Sequence, residues 1–176
     1  MKKPVFITGS EAAAMIKDGS TVATIGMTLV SASETILKAI EQRFLSEGSP
    51  NGLTLVHSCG QSDRDRGIQH FAHEGMLHRI IGGHWGLQPK MMELISNNKI
   101  LAYCIPQGQF AQLYRSMAGG EPGKITKVGL GTFIDPRVDG GKMNEITKDA
   151  PDIVDVVTID GEEYMRYKPI PLDYVI

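Results

Sequence analysis

Cysteine is scarce in this sequence. Cys59 and Cys104 are its only two, far apart and without a C-x-x-C spacing. That excludes a disulfide-built scaffold and a thiolate zinc site. Two buried, reduced thiols are expected instead, which fits a cytoplasmic protein. No run of about 18 apolar residues appears, and no N-terminal signal pattern, so neither a membrane span nor secretion is expected. An excess of charge is missing too. The net charge of −2 offers no broad basic field to nucleic acid or to an anionic membrane. Internal repeats and low-complexity tracts are also absent.

What is present reads as one ordinary globular unit. Its 176 residues are 41% hydrophobic and 22% charged, enough for a domain that buries roughly 70% of its unfolded surface. Thr8 followed by Glu11 forms a capping box ahead of the helical run Ala12–Lys17, with Gly19 just past its end. Thr21–Ile25 reads as a short buried strand. A second box, Ser31 with Glu34, opens a helix with Ile36, Leu37, Ile40 and Phe44 on one stripe. Leu53–His57 and His78–Ile81 read as strands, Pro89 as a helix start, Ile100–Ile105 as a strand and Gly108–Met117 as a helix. Val154–Ile159, Asp160–Gly161 and Glu162–Tyr167 form a hairpin pattern with a type I′ turn. The closing PIPLDYVI holds a strand candidate with no evident partner, read as the mark of a truncated chain. Residues 120–150 fit no element, and long ordered loops are often functional. Strands alternating with helices of about 10–15 residues imply an α/β fold. The expected architecture is an open, mostly parallel sheet with flanking helices, plus the C-terminal β-hairpin segment.

Four constellations could carry chemistry. His70 and His73, with Glu74 beside them, would share a helix face that a metal could use. Such a site would make a metal-dependent hydrolase; the plainer reading is local hydrogen bonding. In QSDRDRGIQ (61–69), Asp63, Arg64, Asp65 and Arg66 could hold an anion, or could be solvated ion pairs. In CIPQGQF (104–110), Gln107 sits where strand becomes helix. Its amide either donates to a developing oxyanion, together with the helix N–H groups, or simply caps the helix. The fourth is VGLGTFIDPRVDGGKMNEIT (128–147), a possible nucleotide loop. It fails the dinucleotide fingerprint at Ile134, where a third glycine is required, and the P-loop pattern at Met143. A glycine-rich loop able to approach a ligand closely remains.

Several stretches together resemble a known family. RGIQHFAHEGMLHRIIGGHWG (66–86), NKILAYCIPQG (98–108), KVGLGTFIDPRVDGGKMNEIT (127–147) and GEEYMRYKPI (161–170) resemble family I CoA-transferases. Within that family the chain looks like the N-terminal part of the single-chain acetate or propionate CoA-transferases, relatives of succinyl-CoA:3-oxoacid CoA-transferase. The resemblance implies coenzyme A and acyl-CoA as substrates, short carboxylic acids as acceptors, no permanently bound cofactor and no metal. It implies ping-pong transfer through a glutamyl-CoA thioester, and a homo-oligomer when complete.

None of the ten glutamates is followed by Asn-Gly, the setting of the family's nucleophile. Residues 1–176 are therefore expected to be an incomplete N-terminal domain, inactive alone, whose partner is the missing C-terminal half. Gln107 is carried over as the oxyanion-positioning amide. The expected substrate-binding positions are Gly26, Met27, Gly108, Gly131, Thr132 and Phe133. Around Gly26 and Met27 the run is IGMTLVSAS, where many relatives have Gly-Gly-Phe and a later Gly-x-Pro. That departure leaves the preferred acid open.

Overall fold

The computed structural model describes residues 3–176. Five parallel strands form its centre, in the order β4-β3-β2-β1-β8. They are β1 (Thr21–Thr24), β2 (Leu53–His57), β3 (Leu77–Gly82), β4 (Leu101–Cys104) and β8 (Tyr174–Val175). Register explains how one sheet serves two cores. Val22, Leu55, Ile80 and Ala102 lie side by side across four strands, and so do Ala23, Val56, Ile81 and Tyr103. Successive side chains point to opposite faces. The first row therefore packs on one apolar cluster and the second row on another.

On the first face lie α1 (Gly9–Met15), α2 (Glu34–Glu47), a 3₁₀ turn (Gly67–Phe71) and α3 (Pro89–Ser96). The Thr8–Glu11 capping box is present: Thr8 Oγ1 accepts from Glu11 N, and the Glu11 carboxylate accepts from Thr8 N at 2.7 Å. Arg43 of α2 then ties down the other end of α1, donating to the carbonyls of Ala13 and Ile16 at 2.8 and 2.7 Å. These bonds satisfy C-terminal carbonyls that would otherwise lack partners. Gly48, with φ 71, ends α2 in the left-handed conformation.

The second face is covered by α4 (Gln107–Ala118) and a three-stranded antiparallel sheet, β5-β7-β6. Its strands are β5 (Lys124–Thr126), β6 (Val154–Ile159) and β7 (Glu162–Tyr167). The expected hairpin is β6–β7, with Asp160 and Gly161 both at positive φ, 51° and 82°, as a type I′ turn requires.

Several expectations change. The second capping box does not form. Ser33, not Ser31, precedes α2, and no side chain caps the helix there. Glu34 is drawn away instead, accepting from Gly67 N at 2.9 Å and meeting His70 Nε2 at 2.8 Å. The closing strand does have a partner: β8 pairs in parallel with β1, Val22 opposite Tyr174. Both cysteines are free but half-buried, not buried. The segment that fitted no element has structural work at a sheet edge. Met143 N donates to Ala102 O, Cys104 N to Gly141 O, and Ala102 N to Thr147 Oγ1. Residues 141–147, including the start of α5 (Glu145–Lys148), thereby cover the free edge of β4. Among the described residues no helix is long and apolar enough to cross a membrane.

Candidate functional site

All parallel strands present their C-terminal ends on one edge, the edge where open α/β sheets take ligands. Four loops meet there: Gly26–Thr28 after β1, Ser58–Gln61 after β2, Gly83–His84 after β3 and Ile105–Gln107 after β4. They stand very close. Thr28 N donates to Gly60 O at 2.8 Å. A Cβ added to Gly83 would lie 2.3 Å from Ser58 O and 2.6 Å from Gln107 Cγ. One on Gly60 would lie 2.6 Å from His84 Nδ1. The glycines at 60 and 83 are what allow these loops to touch.

Gln107 opens α4 and is exposed. Pro106 occupies the cap position and no side chain caps the helix. The capping role is thus not the one Gln107 performs. Its side chain's only protein hydrogen bond among the described residues is at Oε1, which accepts from Cys59 Sγ at 3.8 Å. The amide nitrogen is left free at a helix N-terminus, where the backbone N–H groups favour negative charge. Chemically, this is an edge that can hold a carbonyl oxygen as it gains charge.

Beneath Cys59 is a buried pair. His57 Nδ1 lies 2.7 Å from Cys59 O, and Trp85 Nε1 donates to His57 Nε2 at 3.1 Å. Burial pushes the His57 pKa down to about 4, which leaves the ring neutral near pH 7.

Residues 7–176 match the profile of the coenzyme A transferase family. The chain belongs to that family. It is 41% identical over 169 residues to a caffeate CoA-transferase of Acetobacterium woodii, a match covering 96% of this chain and 32% of that protein. To the acetate CoA-transferase YdiF of Escherichia coli K12 it is 38% identical, covering 95% of this chain and 32% of the relative. The crystal structure of the acyl-CoA transferase YdiF from E. coli O157:H7, a thioester complex with CoA, superposes with a TM-score of 0.89. There the identity is 36%, over 96% of this chain and 33% of that one. The chain spans about a third of the length of these relatives.

Within this transferase-family chain the expected positions fall into two groups. Gly26 and Met27 reach the same edge as Gln107. Gly26, at φ 147, would place a Cβ 2.9 Å from Val30 O, and Met27 is 61% exposed. Gly108 follows Gln107 in α4 with open space where a Cβ would stand. Gly131, Thr132 and Phe133 lie on an exposed loop, and no hydrogen bond joins them to Gln107 or Gly26. Their link to the edge is indirect. Phe133 O accepts from Gly141 N, and Gly141 O accepts from Cys104 N at the end of β4.

The other constellations resolve simply. Asp63 and Arg66 form an exposed ion pair at 2.6 Å. Hydrogen bonds from Arg66, backbone first, hold Asp63 down at about 2. Glu74 pairs with Lys99, while His70 and His73 turn to Glu41. The expected helix ends at Phe71, short of His73, so no shared face exists. Among the described residues no group of three or more His, Cys, Asp or Glu is placed to hold a metal ion.

Sequence reasoning missed His57 and Trp85. Their signals are HSCG and GGHWG, a buried histidine ending one strand and a tryptophan after the glycine pair that ends the next. Gly82 is the third part. A Cβ there would lie 2.5 Å from His57 Nε2.

Proposed function

We propose that residues 1–176 supply the oxyanion-holding part of a CoA-transferase acting on short-chain carboxylic acids. The observation that carries this reading is the exposed Gln107 amide at the head of α4, on the edge where the strand ends converge. Family membership supports CoA transfer. The names of the relatives, caffeate and acetate CoA-transferases, support a carboxylic acid as the acceptor.

In the proposed cycle a glutamate carboxylate outside these residues attacks the acyl-CoA carbonyl carbon. The C–S bond breaks, CoA leaves as the thiolate, and an acyl-glutamyl anhydride remains. The thiolate then attacks the glutamyl carbonyl and expels the first acid as its carboxylate. A second acid reverses both steps and leaves as acyl-CoA. Each addition raises a tetrahedral oxyanion, which a donor such as Gln107 Nε2 stabilises. Residues 1–176 act as an N-terminal unit that needs the remainder of the enzyme. The whole works as a cytoplasmic homo-oligomer without a permanently bound cofactor. Gly26, Met27 and Gly108 border the acyl site from the strand ends, and Gly131, Thr132 and Phe133 wall it from the loop beyond β4.

The test is CoA exchange from acetyl-CoA to propionate by residues 1–176 combined with a polypeptide bearing the Glu-Asn-Gly nucleophile. The expected result is exchange with parallel double-reciprocal lines, and none from residues 1–176 alone. Absence of exchange in the combined enzyme overturns the reading. Turnover by residues 1–176 alone overturns the placement of the nucleophile outside them.

A further inference from the structure

Four hydrogen bonds run in one direction toward Gln107. The Trp85 indole nitrogen can only donate, so its 3.1 Å contact makes His57 Nε2 an acceptor. The ring proton of neutral His57 therefore sits on Nδ1 and is donated to the Cys59 carbonyl, 2.7 Å away. His57 is fully buried, so water cannot compete for either nitrogen. This fixes the backbone of Cys59. Its side chain continues the sequence. Ser58 Oγ donates to Cys59 Sγ at 3.8 Å, and Cys59 Sγ donates to Gln107 Oε1, also at 3.8 Å. With a hydroxyl proton already directed at the sulfur, the thiol proton is free for the amide oxygen.

We propose that Cys59 is a positioning residue, holding the Gln107 amide so that its NH₂ group, and not its oxygen, is offered to the substrate carbonyl. The proposal rests on the reading of Gln107 given above. An exposed glutamine amide can turn over about its last torsion, and the two orientations have opposite value here. The NH₂ group stabilises a developing oxyanion; the amide oxygen repels it. A thiol at position 59 favours the first orientation, because only Oε1 can accept its proton while the Ser58 hydroxyl already donates to the sulfur. The bond is a weak one, as thiol donors are. Its effect is selection between two states of an exposed side chain, which requires little energy.

The glycines permit the arrangement. Side chains at 82 or 83 would push into His57 Nε2, Ser58 O or Gln107 Cγ. Cys104 is not a substitute, since its Sγ points to Gly83 O at 3.9 Å.

Two measurements decide the proposal. The first is the order of the Gln107 side-chain ¹⁵N amide by NMR relaxation, on residues 1–176 and on the variants Cys59→Ser and Cys59→Ala. An ordered amide in the parent and in Cys59→Ser, and a mobile one in Cys59→Ala, is expected. Equal order in all three overturns the proposal, whatever the activity. The second uses the combined enzyme. Losing one oxyanion donor outright costs about a hundredfold or more in kcat, so losing only its orientation predicts a roughly three- to tenfold fall for Cys59→Ala. KM stays nearly constant, and Cys59→Ser restores kcat. In a Gln107→Ala background, Cys59→Ala has no further effect. A fall that persists undiminished in that background overturns the proposal. If the parent combination shows no exchange, the transferase reading fails, and the NMR comparison still decides the role of Cys59.

Discussion

Arg137 closes a two-pronged pair on Asp135, with Nε to Oδ1 at 2.9 Å and Nη2 to Oδ2 at 2.8 Å. The carboxylate is buried and also accepts from the backbone N–H groups of Gly131 and Arg137 at 2.8 and 3.0 Å. Asp135 is therefore the hub on which the loop bearing Gly131, Thr132 and Phe133 is folded. Its Arg137 partner, with these backbone donors, holds the Asp135 carboxyl far below the usual carboxylate range. A depressed pKa contributes stability above the unfolded value and loses it only as pH falls through the folded one. Asp135→Asn keeps the shape and removes the charge. Because Arg137 is half exposed, the expected cost is about 1–2 kcal/mol, the low end for charged hydrogen bonds. Urea unfolding near neutral pH measures it. The difference from the parent should shrink only in strong acid.

The His70 ring sits between two carboxylates, Nε2 at 2.8 Å from Glu34 and Nδ1 at 2.6 Å from Glu41. Glu41 also meets His73 Nε2 at 2.6 Å. A neutral ring has one acceptor nitrogen, which would face a carboxylate lone pair; only the imidazolium satisfies both contacts. Burial works against the charge on His70, but the hydrogen bonds to Glu34 and Glu41 outweigh it and raise the pKa. Burial likewise opposes charge on Glu41, yet the bonds from His73 and His70 win and lower its pKa. The signs then follow. The His70 contribution is complete below its unfolded value and is lost as pH rises through the raised folded one. The Glu41 contribution is present above its unfolded value and is lost as pH falls through the lowered one. The melting-temperature gap between parent and His70→Gln should be largest at about pH 5–6, between the ordinary Glu and His values, and should narrow toward pH 9. A gap that does not vary with pH would contradict the charged clamp.

The same cluster shows what could and could not be read from the sequence. The strands β1 to β4 were legible because they are short apolar runs set off by glycines, loops and helices; the place of β8 beside β1 was not. The register that places Val22 beside Leu55, Ile80 and Ala102 was not legible, because β2 is buried on both faces and carries no alternation to set it. Glu34 was misplaced because a capping box is a local pattern, and His70 and Gly67, far along the chain, compete for the same carboxylate. His57 was invisible for a related reason. Its value lies in the partners at 59 and 85, which meet only when β2 and β3 pair. The placement of Gln107 was legible because a strand-to-helix junction is a local pattern.

Of the glycines in the four loops at the candidate site, Gly83 has the least room for a side chain. A Cβ there would meet the Ser58 carbonyl at 2.3 Å, and that backbone is held by its place after β2. Gly83 is not at positive φ, so alanine is strained by contact and not by torsion. Gly83→Ala should cost roughly 1–3 kcal/mol through overpacking, read from chemical denaturation. It should also lower CoA exchange in the combined enzyme, since the displaced groups include Gln107 Cγ at 2.6 Å. Full stability with full exchange would show that the loops at 58 and 83 do not need their close approach.

Gln107 offers the sharpest separation of chemistry from folding. It is exposed and opens α4, and among the described residues its side chain bonds only to Cys59, so its removal costs the fold little. Gln107→Ala should leave the melting temperature nearly unchanged while lowering kcat for CoA exchange about a hundredfold, the usual effect of deleting one oxyanion donor. Gln107→Glu is the stricter variant. A carboxylate in the first turn of a helix is favourable to the helix dipole, so stability should hold or rise slightly. The same carboxylate offers only acceptors and a negative charge to a developing oxyanion, so kcat should fall at least as far as in the alanine variant. Parallel losses of stability and exchange in both variants would assign Gln107 to the fold. A glutamate variant that exchanges like the parent would remove the amide from the chemistry.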